Sequence, residues 1–300
     1  MADVAVAAFM TAVVAVALVV GGTKEHVDAL TPREKAALVV VSGLPAPAGV
    51  GGVIVQPWSR RLPRPRGALV FADQEGGSVR SFLDLPPTLP AAAYQTTAGA
   101  RAAGRATAAA LRRAGVRVDL APVLDGADGP LGSRHFRRGR LGLAFADGLL
   151  RGGVAACVKH FPGLGTAPVS TDAQPHVEAR IRPSEVAVFA AAIRARVPCV
   201  MTSNAFYGTE RRATIEPGTY RRLRRLGFNG IAITDSLSIL RHAPVERWAR
   251  QAVRAGADLV LFTSPAFAQR AIAALTPLAA RGELDEHVRR VLLFRARFRR

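Results

Sequence analysis

Lysine is nearly absent from this 300-residue chain. Of 41 basic residues only Lys24, Lys35 and Lys159 are lysines, which leaves 38 arginines. An ammonium group therefore stands out wherever it occurs, because a compact point charge on a flexible stem does what a guanidinium fork does not. Cysteine is as scarce, with Cys157 and Cys199 alone, both in apolar runs. They are expected to be buried free thiols that carry little redox information. Zinc-finger spacing is missing, and no pattern of interleaved base-stacking aromatics supports nucleic-acid recognition. Specific nucleic-acid recognition is therefore not expected, despite a net charge of +19. The arginines are spread along the chain, and only residues 289–300 form a dense basic cluster, which fits a compositional bias or an acidic cell surface. A G-x-G-x-x-G fingerprint is missing too, since Gly163-Leu164-Gly165 has no third glycine. No internal repeat or low-complexity linker divides the chain.

What is present is material for one large core, at 49% hydrophobic. Residues 4–20 are a continuous apolar run broken only by Thr11, and Gly21-Gly22 ends it. Asp3 is the only charge before it, and neither an A-x-A site nor a lipobox cysteine follows. Residues 1–22 read as an apolar leader, either a degraded signal peptide or an uncleaved membrane anchor, which implies a secreted or cell-envelope protein. The alternative is a helix packed on the domain in a cytoplasmic protein. After it, Thr31-Pro32-Arg33-Glu34 predicts a capped helix to about residue 41. Strands are expected at 50–56, 67–72, 116–122, 154–158, 199–203, 230–234 and 258–262. Helices are expected at 98–114, 141–150, 183–195, 217–226, 245–255, 265–281 and 285–297. Strands alternate with helices and lack a polar face, which is the pattern of a parallel sheet covered on both sides. Polar residues stand just past the strand ends: Asp73, Asp125, Lys159-His160, Ser203-Asn204 and Asp235. A TIM-type (β/α)8 barrel gathers those ends on one face. A doubly wound open sheet is the competing fold.

Four motifs occur in order: D-Q-E-G-G at 73–77, A-P-V-L-D at 121–125, K-H-F-P-G at 159–163 and I-T-D-S-L at 233–237. Together they resemble the motifs of glycoside hydrolase family 3, and within it the single-domain bacterial β-N-acetylglucosaminidases of the NagZ type. The resemblance spans about residues 30–298, so residues 30–300 are taken as the catalytic barrel. It implies an (α/β)8-type barrel, irregular in some members. It also implies hydrolysis of terminal β-linked sugars with retention, most often β-N-acetylglucosamine of cell-wall glycans, without a metal or organic cofactor. The partner implied is a carbohydrate, and the protein is expected to act as a monomer.

Residue by residue, Asp235 matches the nucleophile, and a strand-end carboxylate suits attack on an anomeric carbon. Asp73 matches the carboxylate that accepts hydrogen bonds from sugar hydroxyls. Lys159 and His160 match the pair that grips the same sugar, and Arg134, in G-S-R-H-F, matches an arginine of that subsite. Departures cluster after Gly163. The NagZ type places an acid/base histidine two residues past an aspartate; here Asp172 is present, but the partner position is Gln174, which cannot exchange a proton near neutral pH. Leu164 stands where histidine is usual, and Ser81 where arginine is usual, with Arg80 beside it. Three readings stay open for the proton-transfer step. His176 takes it over with Asp172 or Glu178 nearby, Asp172 is itself the acid if burial raises its pKa, or the step is lost and the chain is a slow glycosidase, an enzyme for activated leaving groups or a glycan-binding relic. Transfer of the glycosyl group to phosphate instead of water is a further variant that the sequence leaves open.

Overall fold

The structure is a computed structural model that describes residues 25–239 and 244–298. The apolar run 4–20 lies outside the described residues. Among those described, no helix is long and apolar enough to cross a membrane.

Helix α1 (Pro32–Leu38) starts where the capping box predicts: the Thr31 hydroxyl accepts the Glu34 N–H, and the Glu34 carboxylate accepts the Thr31 N–H. It stops earlier than the sequence reading has it. Strand β1 (Val40–Ser42) follows at once and is an eighth barrel strand that was expected to be helix. A-A-L-V-V-V is apolar throughout, so no periodicity separates the two states. The β-branched run Val39-Val40-Val41 favours extended backbone. The other barrel strands fall where the apolar runs place them: β2 (Gly52–Val55), β3 (Leu69–Ala72), β6 (Val118–Asp119), β7 (Ala155–Phe161), β8 (Cys199–Thr202), β9 (Ile231–Thr234) and β10 (Val260–Phe262). A short antiparallel hairpin, β4 (Gln74–Gly76) and β5 (Val79–Arg80), grows from the end of β3. The ring order is β10-β1-β2-β3-β6-β7-β8-β9 with parallel neighbours. A parallel bridge between Ile233 and Leu259 joins its two ends.

Helices α2 (Thr97–Arg113), α3 (Gly139–Arg151), α4 (Pro183–Arg194), α5 (Pro217–Arg225), α6 (Val245–Ala255), α7 (Pro265–Ala280) and α8 (Asp285–Phe298) cover the outside. No helix separates β1 from β2 or β2 from β3. The fold is a (β/α)8 barrel with an irregular first quarter.

The interior explains how the chain delivers polar groups to one face. Alternate strands contribute to each interior layer. Ile54, Leu120, Met201 and Leu261 come from one alternate set, and Val41, Phe71, Cys157 and Ile233 from the other; all belong to one buried cluster. Two residues further along three strands of the second set stand Asp73, Lys159 and Asp235. Side chains repeat with period two along a strand, so these charges are the next layer up, stacked on the apolar core. Gly52 serves the same packing, because a Cβ there would lie 2.4 Å from the Phe71 ring. At the opposite end Val291, Phe294 and Phe298 of α8 join the interior cluster and plug the barrel floor.

Cys157 and Cys199 correct the expectation of free thiols. They are register partners on β7 and β8, with Cα atoms 4.3 Å apart, and form a disulfide inside the barrel. Their separation of 42 residues hides this from the sequence, where only the parallel register brings them together.

Candidate active site

The hairpin after β3 is locked before it presents any charge. Asp73 and Ser81 exchange hydrogen bonds: the Ser81 hydroxyl accepts the Asp73 N–H at 3.1 Å, and the Ser81 N–H donates to the Asp73 carbonyl at 2.7 Å. The buried Gln74 amide donates to the carbonyls of Phe82, Leu85 and Pro86 at 3.0–3.1 Å. Arg80 turns away from the cavity and donates to the Gly77 and Leu83 carbonyls, so it does not replace the arginine missing at 81.

Lys159 is buried, and its Nζ lies 2.6 Å from Asp73 Oδ1 and 2.7 Å from Glu75 Oε1. Arg134 meets Glu75 with a two-pronged contact, Nε and Nη2 at 2.7 and 2.8 Å. Burial pushes the Glu75 carboxyl up, but Lys159 and Arg134 outweigh it and hold the group down to about 2. Burial pushes Lys159 down, but Asp73 and Glu75 outweigh it and raise its pKa, so the ammonium stays charged. Asp119, fully buried below, is pushed well above the usual carboxylate range by desolvation, and its Oδ2 has no partner.

His160 is fixed from behind. Asp125 Oδ2 lies 2.7 Å from His160 Nδ1, while Asp125 Oδ1 accepts the backbone N–H groups of His160 and Leu164, each at 2.9 Å. Burial pushes Asp125 up, and His160 with these N–H groups brings it below its ordinary value. The opposite imidazole nitrogen is thereby left for a ligand. Glu185 of α4 holds the neighbouring turns: its Oε1 accepts the N–H groups of Gly126 and Gly165 at 2.7 and 2.8 Å. It packs so closely that a Cβ at Gly163 would lie 2.7 Å from its carboxyl.

Asp235 follows β9 and is half-buried. Its Oδ1 accepts the Ser236 N–H at 2.7 Å. Desolvation raises its pKa from 3.8 to about 6; Asp172 adds to the rise, and His160, the Ser236 N–H and Lys159 oppose it. Asn204 braces the same corner, donating to the Ser236 carbonyl at 3.0 Å.

The loop after Gly163 is anchored at its roots. Leu164, Ala167, Val177, Ala179 and Ala205 form a small apolar cluster, so the leucine in the usual histidine position acts as a packing anchor. Arg212 donates to the carbonyls of Asn204 and Pro175. Between the roots, Asp172, Gln174 and His176 are exposed.

Asp73, Arg134, Lys159, His160, Asp172 and Asp235 line one cavity of about 300 Å³ at the C-terminal mouth of the barrel, above a floor of Ile54, Leu120, Met201 and Leu261. Residues 56–294 match the glycosyl hydrolase family 3 N terminal domain. The chain belongs to this family. By class it is a glycoside hydrolase. It is 30% identical over 262 residues to a beta-hexosaminidase of Stenotrophomonas maltophilia, covering 75% of this chain and 78% of that protein. A family 3 beta-N-acetylglucosaminidase of a Paenibacillus species superposes with a TM-score of 0.79 at 28% identity, over 90% of this chain and 63% of that one. This chain thus spans somewhat under two thirds of that enzyme's length. A beta-N-acetylhexosaminidase of Beutenbergia cavernae gives a TM-score of 0.76 at 26% identity, over 89% of this chain and 99% of that one.

Among the candidate site residues named from sequence, His176 is not part of the cavity lining. Its Nε2 pairs with Glu178 Oε1 at 2.9 Å, and its ring stacks on Phe206 with centroids 4.3 Å apart. Glu75 and Asp125 were not assigned roles from sequence, though both lie within quoted motifs. Glu75 was findable, because it stands two residues from Asp73 in an extended segment and so shares its face. Glu185 was not, since at a helix start it reads as a charge favoured by the helix dipole.

Proposed function

We propose that this chain is a retaining β-N-acetylhexosaminidase that removes terminal β-linked sugars from cell-wall-type glycans through a covalent glycosyl-Asp235 intermediate. The observation that carries this is the shared cavity, in which carboxylates on β9 and on the loop after β7 face one buried, charge-fixed binding cluster. The curated beta-hexosaminidase and the structural neighbours, a beta-N-acetylglucosaminidase and a beta-N-acetylhexosaminidase, support the sugar class.

In this reading the sugar hydroxyls meet Asp73, Lys159, His160 and Arg134. An Asp235 oxygen attacks the anomeric carbon as the bond to the leaving oxygen breaks. Asp172 gives its proton to that oxygen; its carboxylate then takes a proton from water as water attacks and the bond to Asp235 breaks. Asp172 is chosen over His176 because it lines the cavity, and over Gln174 because an amide does not exchange protons. With its pKa at about 6, Asp235 is mostly ionised at neutral pH and ready to attack.

The test is intact-mass analysis after treatment with an activated 2-fluoro glycoside. A single adduct on Asp235, lost in Asp235→Ala, supports the reading; no adduct with any activated sugar sinks it. Sugar binding that depends on Asp73 and Lys159, without turnover, would assign the chain to a glycan-binding relic instead. Phosphate-dependent rates would point to transfer to phosphate. For location, the apolar run 4–20 and the disulfide both favour an oxidising envelope compartment.

A further inference from the structure

The dense basic cluster of residues 289–300 lies, as far as residue 298, on α8, which plugs the barrel floor. Two cavities open there, of about 490 and 630 Å³. Arg289, Arg290 and Arg297 of α8 line the first, together with Arg196 just past α4. Arg221, Arg224 and Arg225 of α5 line the second, with His287 and again Arg290 of α8. Arg290 belongs to both, so the two form one arginine-lined surface. Among the described residues no carboxylate lines either cavity, whereas the cavity at the mouth mixes carboxylates with cations. The surface is held in place from within. Asp258, fully buried, accepts Arg224 Nη2 at 2.6 Å and Arg290 Nη1 at 3.0 Å, and its Oδ1 lies 3.1 Å from His287 Nδ1. Glu286 joins Arg289 and Arg290 at 2.7 and 2.8 Å. Arg196, Arg221, Arg225 and Arg297 are exposed and have no carboxylate partner among the described residues. Seven arginines thus meet two carboxylates, and the excess charge faces outward.

Helix ends account for part of this charge only. A helix C-terminus favours cations, which suits Arg225 in the last turn of α5. Arg289 and Arg290 stand in the first half of α8, outside the reach of that effect. Arg196 is the sharper exception. Helices α2, α3, α5, α6 and α7 each give way to a glycine of positive φ, at Gly115, Gly153, Gly227, Gly256 and Gly282. Helix α4 gives way to Arg196, at φ 60°, the one non-glycine residue in that region among those described. A side chain there strains the backbone, and a strained residue points to a use for its side chain. The Arg196 side chain lines the first cavity.

We infer that the barrel floor is a docking surface for a membrane that carries anionic phospholipid. Guanidinium forks suit phosphate oxygens. Between them the ground is apolar, since Val197, Ile231, Leu293 and Phe294 line the first cavity. A hydrated free polyanion gains little from such ground, whereas a lipid brings its glycerol and acyl carbons with its phosphate. The mouth, at the other end of the barrel, is then turned away from the bilayer.

The test is co-sedimentation of the full chain with vesicles of equal parts phosphatidylglycerol and phosphatidylcholine, against phosphatidylcholine alone. Residues 4–20 are the same in every protein compared, so differences among the proteins report the floor. Arg196→Gly combined with Arg221→Gln, Arg225→Gln and Arg297→Gln lowers partition onto the mixed vesicles by more than about a hundredfold and leaves partition onto phosphatidylcholine unchanged. Arg196→Gly alone lowers it about fivefold. Its Tm is unchanged, because glycine suits the left-handed turn, so a folding defect cannot stand in for the lost contact. A control with Arg61→Gln, Arg138→Gln, Arg140→Gln and Arg211→Gln removes the same charge from exposed positions at the mouth end and keeps most of the binding. Equal loss in the control would overturn the docking surface in favour of net charge alone. Equal partition of the wild type onto both kinds of vesicle would overturn it as well. So would binding of inorganic polyphosphate that depends on the four floor arginines without binding to the mixed vesicles, which would assign the surface to a soluble polyanion.

Discussion

The cavity has two kinds of wall. On one side Asp73, Glu75, Arg134, Lys159, His160 and Asp125 interlock through charge-assisted contacts of 2.6–2.9 Å, and Lys159, Glu75 and Asp125 are buried. On the other side Asp172, Gln174 and His176 sit exposed on a loop. Among the described residues Asp172 hydrogen-bonds to Ser170, at 3.2 Å through its own N–H and 3.5 Å through its carboxylate. The first wall is fixed by strands and by other charges; the second is held at its roots and bare between them. Rigid positioning suits a group that must grip a sugar in one pose. A proton-transfer group has to meet the leaving oxygen and then water, and a loop allows that. This division also shows where a family can vary. A change within the interlocked wall strands a buried charge, whereas a change on the loop leaves the fold alone.

The largest effect that would sharpen this contrast is on the loop. Asp172→Asn is expected to slow turnover of poor leaving groups by about 10²–10⁴, with little change on activated aryl glycosides and little change in thermal stability. Gln174→His should leave those rates unchanged if Asp172 is the acid, and a large gain would break the assignment. Next comes the interlocked wall. Lys159→Met leaves Glu75 and Asp73 without their shared cation and should cost about 3–5 kcal/mol, read by denaturant unfolding. Glu75 adds a pH signature: its depressed carboxyl contributes stability that is present above about pH 4.5 and is lost as pH falls toward about 2.

A smaller effect of opposite sign is expected at Asp235. Its carboxyl is raised, so its contribution to stability is complete below about 3.8 and is lost as pH rises through about 6. Asp235→Asn should therefore stabilise the fold near neutral pH by about 3 kcal/mol at most, and not at about pH 4. Thermal unfolding of both proteins at the two pH values checks this. For the same reason the ionisation of Asp235 should give kcat/KM of the wild type a limb that rises with pH up to about 6. The smallest effect belongs to His176→Ala, expected to change stability by less than about 0.5 kcal/mol and rates hardly at all, since the ring is exposed and does not line the cavity. A loss comparable to that of Asp172→Asn would move the proton-transfer role to His176.

Much of this was legible before the structure. Strand-end polarity pointed to one face of a barrel, and the rarity of lysine singled out Lys159. The barrel strands and the helices after residue 50 lie within a few residues of their sequence assignments, while the β4–β5 hairpin had none. What stayed hidden has physical causes. Strand β1 sits in an apolar run where helix and buried strand look alike. The Cys157–Cys199 pairing depends on a register that exists only between assembled strands. Glu185 reads as a helix-start charge until the fold brings Gly126 and Gly165 onto it.

The floor of the cavity has one more consequence. Ile54, Leu120, Met201 and Leu261 seal it from below, and beneath them the core continues down to Phe294 and Phe298. Among the described residues the site is closed from below, as a cul-de-sac. Such a shape admits chain ends and rejects chain interiors. In the proposed reaction it makes every turnover a queue, because the freed monosaccharide has to back out before the next chain end enters. Competitive inhibition by the monosaccharide product, and release rather than chemistry as the slow step on activated substrates, are the kinetic marks of that architecture.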